Sequence, residues 1–420
     1  MLLPILLLAA PQDWVPARWP SNDPKSLELV RQTPINCLLL EKAQWSDSFS
    51  EEAAKAGIVT LRMVRSDLAE GSLTSVALGP RTRIKFDSND PILGTNQGVW
   101  PGINAADDGA AKAAPSGAPW IDTNTGFLRF ARSLTKAELW ISYSPPKGQV
   151  IPVTRYLQAI GDAAIVGARW VISLDDDFQK RLLAREPATL KDWQKMGELL
   201  AYFEKHKEWR SLAPYAKLAI VQDASSGGLI SGGILDMISV KHTPVLPVPS
   251  RKLSDDRMKG PQMAVNVDPS GLSEEQKETL RRFTRAGNTL LNAPPGWKFP
   301  PQREDQITLD KDDIEKLDTI WKEVNSMTGR RNLGARLFNV SSMLSNLVAP
   351  PGGSPLVLHL LNYSDYTVEN VTVHVLGKYT KAMLYEPASP QPRKMTPYEN
   401  EEGTGVDLDK VSTVATLVLE

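Results

Sequence analysis

"AELWISYSPPKGQVIPVTRYLQAIGDAAIVGARWVISLDDD", residues 137–177, decides the fold class of this chain. It opens on "AELWISYS" (137–144), an apolar run of strand length. "PVTRYLQAIGDAAIVGA" (152–168) follows with apolar residues at helical spacing, and "RWVISLD" (169–175) is a second short apolar run. Strand, helix, strand, with strands apolar almost throughout, marks a parallel sheet covered on both faces. The pattern extends towards the N-terminus. "INCLLLE" (35–41) is a buried strand, "EEAAKAG" (51–57) a helix stopped by Gly57, "IVTLRMV" (58–64) the next strand and "TRIKFD" (82–87) another. A helix over 189–206 ends this region, which spans about residues 30–210.

A second α/β block, about 214–300, begins at "YAKLAIVQD" (215–223). A helix at 228–240, "PVLPV" (244–248), "PQMAVNVD" (261–268), a helix at 273–286 and "NTLLNAP" (288–294) follow. Ser273 with Gln276 three residues on is a capping box, and Gly287 is the stop. This is the pattern of a small flavodoxin-like domain, punctuated by Pro294-Pro295-Gly296. After a helix at about 311–328 the period changes to two. "SPLVLHLLNYS" (354–364), "VENVTVHVLG" (368–377), "KAMLYEP" (381–387) and "STVATLVLE" (412–420) predict a small antiparallel β domain over about 340–420. His359 and His374 fall inside its strands and carry no chemistry there.

Composition narrows the function. Over 420 residues, 48 Lys and Arg face 49 Asp and Glu, so no excess charge calls for nucleic acid or an anionic membrane as partner. Cys37 is the only cysteine, which excludes an intrachain disulfide, a thiolate zinc cluster and a redox pair. Four His without ligand spacing point to no metal site, and nothing implies a cofactor. Eleven Trp against nine Phe and nine Tyr is Trp-rich; exposed indole faces stack on sugars or bases, while most of the Trp are expected in the core. "MLLPILLLAA" (1–10) is too short to span a bilayer and has the apolar core and small-residue end of a secretory signal, so the chain is expected to be secreted or periplasmic. A mis-chosen start or an N-terminal strand is the other reading.

Four stretches carry a resemblance: "PWIDTNTGFLRFAR" (119–132), "GARWVISLDDD" (167–177), "LSEEQKETLRRFTRAGNTLL" (272–291) and "LVLHLLNYSDYTVENVTV" (356–373). The order of parts resembles the bacterial β-galactosidases: a β/α-barrel, a domain like that of class I glutamine amidotransferases, and a β domain. It is similar also to secreted bacterial glycoside-hydrolase-like proteins. The resemblance implies a short or degenerate TIM-like barrel, a flavodoxin-like domain and a small antiparallel β-sandwich. It further implies a homo-oligomer through the middle domain and an oligosaccharide partner. Two departures stand out. At most seven barrel strands are legible, and the Asn-Glu pair such enzymes place at a barrel strand end is missing, Asn400-Glu401 being in the C-terminal tail. The middle domain reads "ASSGGLISGG" (224–233) where an amidotransferase has its Cys, so that activity is disfavoured.

Glycoside hydrolysis needs two carboxyls facing across the sugar, and in a parallel barrel they sit at carboxyl-terminal strand ends. Asp122, Asp175 and Asp176 are the candidate catalytic acids. Glu41, Asp87, Trp100, Trp120 and Asn124 are candidate substrate-binding residues. "PWIDTNTGF" is expected to line a cleft at the barrel mouth, with Thr123 or Thr125 capping a helix that runs to Arg132. Each has a structural alternative: helix capping for Asp175–Asp177, an Asx-turn for Asp122 with Asn124, a packed loop for Trp100. The function expected is an exported glycoside-hydrolase-like protein acting on or binding oligosaccharide; the alternative is a non-catalytic carbohydrate-binding or scaffold protein that has lost the carboxylate pair.

Overall fold

The computed structural model describes residues 10–71, 74–81, 84–103, 121–223, 243–294, 297 and 311–420. The apolar segment 1–9, Trp120, the run 224–233 and the expected helix 228–240 lie outside these residues. The described chain forms two units, one running as far as Trp100 and resuming over Thr135–Lys207, the other made of Pro101–Leu134 and Glu208–Glu420.

The first unit is built on an eight-stranded sheet: β1 (Pro16–Arg18), β2 (Cys37–Leu40), β3 (Val59–Arg65), β4 (Leu68–Glu70), β5 (Ser75–Gly79), β6 (Ile92–Thr95), β9 (Glu138–Ile141) and β10 (Arg169–Trp170). The sheet curls into a nearly closed ring. Its two edges meet through a parallel bridge between Ala17 and Ile172. Arg18 N donates to Ile172 O at 2.8 Å and Ile172 N to Pro16 O at 3.1 Å. The count therefore exceeds the seven strands legible in the sequence. β1 and β10 are too short to show a period, and β4 and β5 form a meander with β3 in which β4 alone runs antiparallel to its neighbours. "TRIKFD" is not a strand in its described part: the chain turns at 86–87, where Ser88 N donates to Lys85 O at 3.2 Å. The strand in that region is β5, a few residues earlier.

Helix α1 (Leu27–Val30) precedes β2, and α2 (Asp47–Lys55) links β2 to β3. Ser46 caps α2 by accepting from Phe49 N, and Gly57, at φ 75°, turns the chain into β3. α4 (Val153–Ala164) links β9 to β10 and buries Tyr156, Ala159, Ile160 and Ala163. After β10 come α5 (Asp176–Leu183) and α6 (Pro187–Lys205), and α6 packs on α4. Inside the ring, Cys37, Leu39, Leu61, Met63, Val76, Leu78, Ile92, Trp140 and Val171 make one core. The outward residues of β3, by contrast, include Arg62 and Val64, both exposed, because hairpins rather than crossover helices follow that strand. Burial pushes the Cys37 thiol far up, so it stays protonated.

The second unit holds a two-stranded ribbon of β7 (Gly102–Ile103) and β8 (Ile121–Asp122), followed by α3 (Thr125–Leu134). Among the described residues β8 pairs with β7 alone and is no part of the eight-stranded sheet. α3 packs on β13 (Val245–Pro249), and Lys252 Nζ donates to the last carbonyls of the helix, Ser133 O at 2.9 Å and Leu134 O at 3.0 Å. β13 belongs to a four-stranded, wholly parallel sheet with β12 (Leu218–Gln222), β14 (Met263–Asn266) and β15 (Thr289–Asn292), in the order β13-β12-β14-β15. α7 (Glu274–Arg285) connects β14 to β15, and its expected capping box forms: Gln276 N to Ser273 Oγ at 3.3 Å, Ser273 N to Gln276 Oε1 at 2.8 Å. The helix expected at 311–328 is α8 (Lys311–Thr328).

The rest of this unit is antiparallel. One sheet has β11 (Ala213–Pro214), β17 (Met343–Ala349), β18 (Leu356–Asn362), β24 (Val414–Leu419), β20 (Ala382–Tyr385) and β21 (Arg393–Met395). The other has β16 (Ala335–Phe338), β19 (Val368–Val375), β23 (Gly403–Val411) and β22 (Tyr398–Asn400). Leu356, Leu358 and Leu360 of β18 face Val371, Val373 and Val375 of β19 in one apolar layer between the sheets. Gly403 opens β23 at φ 137°; a Cβ there would lie 2.4 Å from Val375 O, so only glycine fits. His359 shares a hydrogen bond with Thr416 Oγ1 at 2.9 Å, and His374 lies 3.4 Å from Glu402.

At the amino-terminal end of the barrel, Arg169 opens β10 almost wholly buried. It donates to Glu138 Oε2 at 2.8 Å and Gln12 O at 2.9 Å, and pairs with Glu204 at 3.4 Å. Removing the cation leaves two carboxylates facing each other with little water. Arg169→Met should therefore lower unfolding free energy by about 3 kcal/mol, read as a shift of the urea midpoint; a change below ~0.5 kcal/mol would show that the triad contributes nothing.

Candidate functional site: the carboxyl-terminal rim of the barrel

The carboxyl ends of β1, β2, β6, β9 and β10 bring polar side chains to one rim. Glu41 follows β2 and is 54 % exposed; it accepts from Arg18 Nη1 at 3.2 Å. Burial draws the Arg18 guanidinium below its usual range, and the Glu41 carboxylate raises it part of the way back. Arg18 Nε is buried without a partner. Along the rim, Thr95, Ser142 and Ser173 are buried hydroxyls at the ends of β6, β9 and β10. Ser142 Oγ and Ser173 Oγ lie 3.4 Å apart. Gly98 lets the loop after β6 lie against β9: its N donates to Ser142 O at 2.8 Å, and a Cβ would come within 2.9 Å of that oxygen.

Asp175 is the N-cap of α5 and is 2 % exposed. Its Oδ1 accepts from Phe178 N at 2.9 Å, and its Oδ2 from Tyr156 Oη at 2.8 Å and Ile151 N at 3.1 Å. Tyr156 Oη in turn accepts from Asp175 N at 2.8 Å. A carboxylate holding three donors is fixed in place and has little left for a substrate. Burial drives the Tyr156 hydroxyl well above the ordinary phenol range, so it remains a donor. Asp176, the first residue of α5, is exposed, and Asp177 pairs with Arg181 at 2.8 Å. Asp87 is exposed in the turn at 86–87.

Trp100 closes an aromatic cluster. Its ring meets Tyr143 at 5.8 Å and Tyr156 at 5.3 Å, both edge to face, and Trp170 at 5.3 Å. The indole is thus a packed element of the rim, with Nε1 buried and unpartnered. Trp120 lies outside the described residues. Asp122 and Asn124 belong to the second unit. Asp122 is half-buried on β8, opposite Gly102, and Asn124 is fully buried. Thr123 Oγ1 accepts from Thr125 N at 3.0 Å, an ST-turn just ahead of α3, and lies 3.2 Å from Tyr363 Oη of the same unit. Arg129 Nη2 donates to Ser345 O at 2.7 Å. So the stretch 121–134 does not sit on a barrel strand; it is strapped to the antiparallel sheet of its own unit. The rim brings together Glu41 and Asp175–Asp176 as residues of one unit, and adds Arg18, Ser142, Ser173 and Tyr156, which sequence reasoning missed. A three-residue strand carries no period to flag Arg18, and Tyr156 was hidden in an amphipathic helix. Among the described residues no His, Cys, Asp and Glu cluster is set to hold a metal ion, and no helix is long and apolar enough to cross a membrane.

No protein-family model matches the sequence, and comparison with curated proteins gives no match. Solved structures do resemble it. An α-L-fucosidase isoenzyme 2 from Paenibacillus thiaminolyticus aligns with a TM-score of 0.50 at 11% identity, over 73% of this chain and 64% of that one. A rhamnosidase from Novosphingobium sp. PP1Y aligns at 0.49 and 10% identity, over 89% of this chain and 38% of that one. A β-galactosidase from the psychrophilic Marinomonas ef1 aligns at 0.41 and 11% identity, over 91% and 64%. The chain thus spans less than two thirds of the length of each of these structures. The likeness to the fucosidase is one of fold: the chain has a glycoside-hydrolase-like fold.

The capping role of Asp175 has a measurable consequence. Asp175→Ala removes the cap of α5 and strands Tyr156 Oη and Ile151 N. Unfolding free energy should fall by about 2–4 kcal/mol, and Tyr156→Phe should fall by about 1 kcal/mol. A destabilisation no larger than that of an exposed Asp176→Ala control would refute the assignment.

Proposed function

We propose that this chain is an exported glycoside-hydrolase-like protein that takes oligosaccharide at the carboxyl-terminal rim of its barrel. The observation that supports this reading most directly is the Arg18–Glu41 pair at the ends of two adjacent parallel strands. In parallel barrels that edge is where catalytic and binding groups gather. A charged donor next to a charged acceptor suits the vicinal hydroxyls of a sugar, because each hydroxyl both donates and accepts. Asp176 supplies an exposed carboxyl on the same unit, while Asp175 holds the loop that presents it. Hydrolysis on this reading uses Asp176 or Glu41 as acid and the other as base, with Asp175 as positioning residue. The four-stranded parallel sheet of the second unit is taken as the flavodoxin-like, amidotransferase-like domain and as the contact of a homo-oligomer.

The test is a titration of the full chain with fucosyl, rhamnosyl and galactosyl oligosaccharides, followed by assay of the same sugars for cleavage. Glu41→Gln and Arg18→Met should each weaken binding by about 1–3 kcal/mol, and Asp176→Asn should abolish any cleavage while the sugar still binds. Affinity unchanged in both rim variants would reject the site. Binding without cleavage would favour the carbohydrate-binding alternative. Export predicts a mature N-terminus near residue 11 on expression with the leader, and the oligomer predicts a multiple of the 46.2 kDa chain mass by light scattering; an uncleaved N-terminus and a monomer at tens of micromolar would remove those two parts.

A further inference from the structure

The outer wall of the barrel unit holds a cavity that the rim does not use. α2 links β2 to β3, but β3 is followed by the antiparallel β4, so among the described residues no crossover helix covers that strand pair. Between its outward face and α2 lies an open cavity of about 560 Å³, within the range of roughly 300–1,000 Å³ usual for small-molecule sites. Asp47, Ser50 and Glu51 line one side; spaced i, i+3 and i+4 along α2, they share a face of the helix. Arg62 lines the other. It points outward from β3 between the inward Leu61 and Met63, and Glu70 of β4 is directly opposite it, so the two share a face of the sheet. Trp45, just ahead of α2, completes the lining.

The polar groups of this cavity are held in place without being used up. Arg62 faces Glu70 across the strands, yet the two form no ion pair. The guanidinium lies over Trp45 instead, 5.6 Å from the ring centroid, and the indole is fixed in turn because its Nε1 donates to Asp47 Oδ1 at 3.1 Å. A guanidinium stacked by its face keeps its N–H donors, which lie in the plane, for another partner. Among the described residues neither Glu51 nor Glu70 has an ion-pair partner, and Lys55, the next cation along α2, is held by Glu52 at 2.5 Å. Ser50 Oγ is buried without a hydrogen-bond partner. Two exposed carboxylates, a set of charged donors and a hydroxyl thus surround an indole.

These groups define the ligand. Three carboxylates, Asp47, Glu51 and Glu70, face one guanidinium, so a phosphate or carboxylate is repelled. A simple cation would answer the acids but not the donors of Arg62, and would meet that positive charge. A sugar answers all of them: its hydroxyls donate to Glu51 and Glu70 and accept from Arg62, and its C–H face suits the indole. We propose that the cavity between α2 and the β3–β4 pair binds a short neutral oligosaccharide, with Trp45 and Arg62 as one wall and Glu51 and Glu70 as the hydroxyl acceptors. Binding here does not depend on the rim residues Arg18 and Glu41, and it gives the barrel a second point of attachment to a carbohydrate chain.

Isothermal titration of the full chain tests this, with lactose, cellobiose and xylobiose as neutral probes and spermidine and inorganic phosphate as charged ones. At least one disaccharide should bind saturably, and neither charged probe should displace it. Trp45→Ala and the double variant Glu51→Gln with Glu70→Gln should each raise the Kd of that disaccharide at least tenfold. In Glu41→Gln the same binding should persist, which separates this cavity from the rim. If Trp45→Ala fails to fold, the double variant carries the comparison, because both its positions are exposed. Three results would overturn the proposal: no disaccharide binds, spermidine or phosphate competes for the site, or binding is lost in Glu41→Gln and kept in the double variant. The last of these would leave the rim reading standing, and loss of rim binding alone would leave this one.

Discussion

The seam between Ala17 and Ile172 holds the barrel unit together. Two backbone hydrogen bonds there turn an eight-stranded sheet with two bare edges into a ring. An open edge would leave a row of N–H and C=O groups of β1 and β10 to find water or another chain. Closure also gives the core its inside: Cys37, Leu39, Leu61 and Trp140 face one another only because the sheet curls fully round. The rim inherits its geometry from the same seam. Arg18 is the last residue of β1, so the bond from its amide to Ile172 sets where its guanidinium meets Glu41.

Both units end their parallel strands in polar residues, and they treat them differently. At the barrel rim Asp175 is saturated by Phe178, Ile151 and Tyr156, and the aromatic cluster around Trp100 packs beside it. Saturation fixes a loop. In the second unit both amide atoms of Gln222 and the Oδ1 of Asn266 are buried without a partner. Close packing has no use for such groups, since an unanswered amide in the interior destabilises the fold. The same end of a parallel strand is thus saturated in one unit and left unsaturated in the other.

Much of the architecture was legible because it rests on long periods. The strand-helix-strand of 137–175 gave β9, α4 and β10; Ser273 and Gln276 gave the start of α7; the alternation in 354–377 gave β18 and β19. What escaped reading was short or non-local. β1 is three residues long and pairs with β2 and with the stretch after β10, so no local pattern announces it. "TRIKFD" alternates like a strand, yet the chain there turns. The stretch 121–134 has the composition of a strand end and helix start, and it has both; its membership of the second unit depends on Thr123 meeting Tyr363 and Arg129 meeting Ser345, more than two hundred positions away. At the candidate site, acids at strand ends were visible in the sequence. Which of them is free was not, because occupancy is decided by donors such as Tyr156 Oη that arrive from another element.

The meander β3-β4-β5 gives the barrel an uneven timetable for assembly. Strands joined by tight turns meet after closing loops of a few residues, whereas Ala17 and Ile172 must find each other across most of the unit. The entropy of closing a loop grows with its length, so the meander has the low threshold for formation and the seam the high one. The order on opening is the reverse. The seam is held by a single bridge between short strands, so it is the first place where amide protons would exchange, and the loosening would begin beside Arg18 and Glu41. The barrel's weakest line of backbone and its most chemically equipped edge are therefore one place.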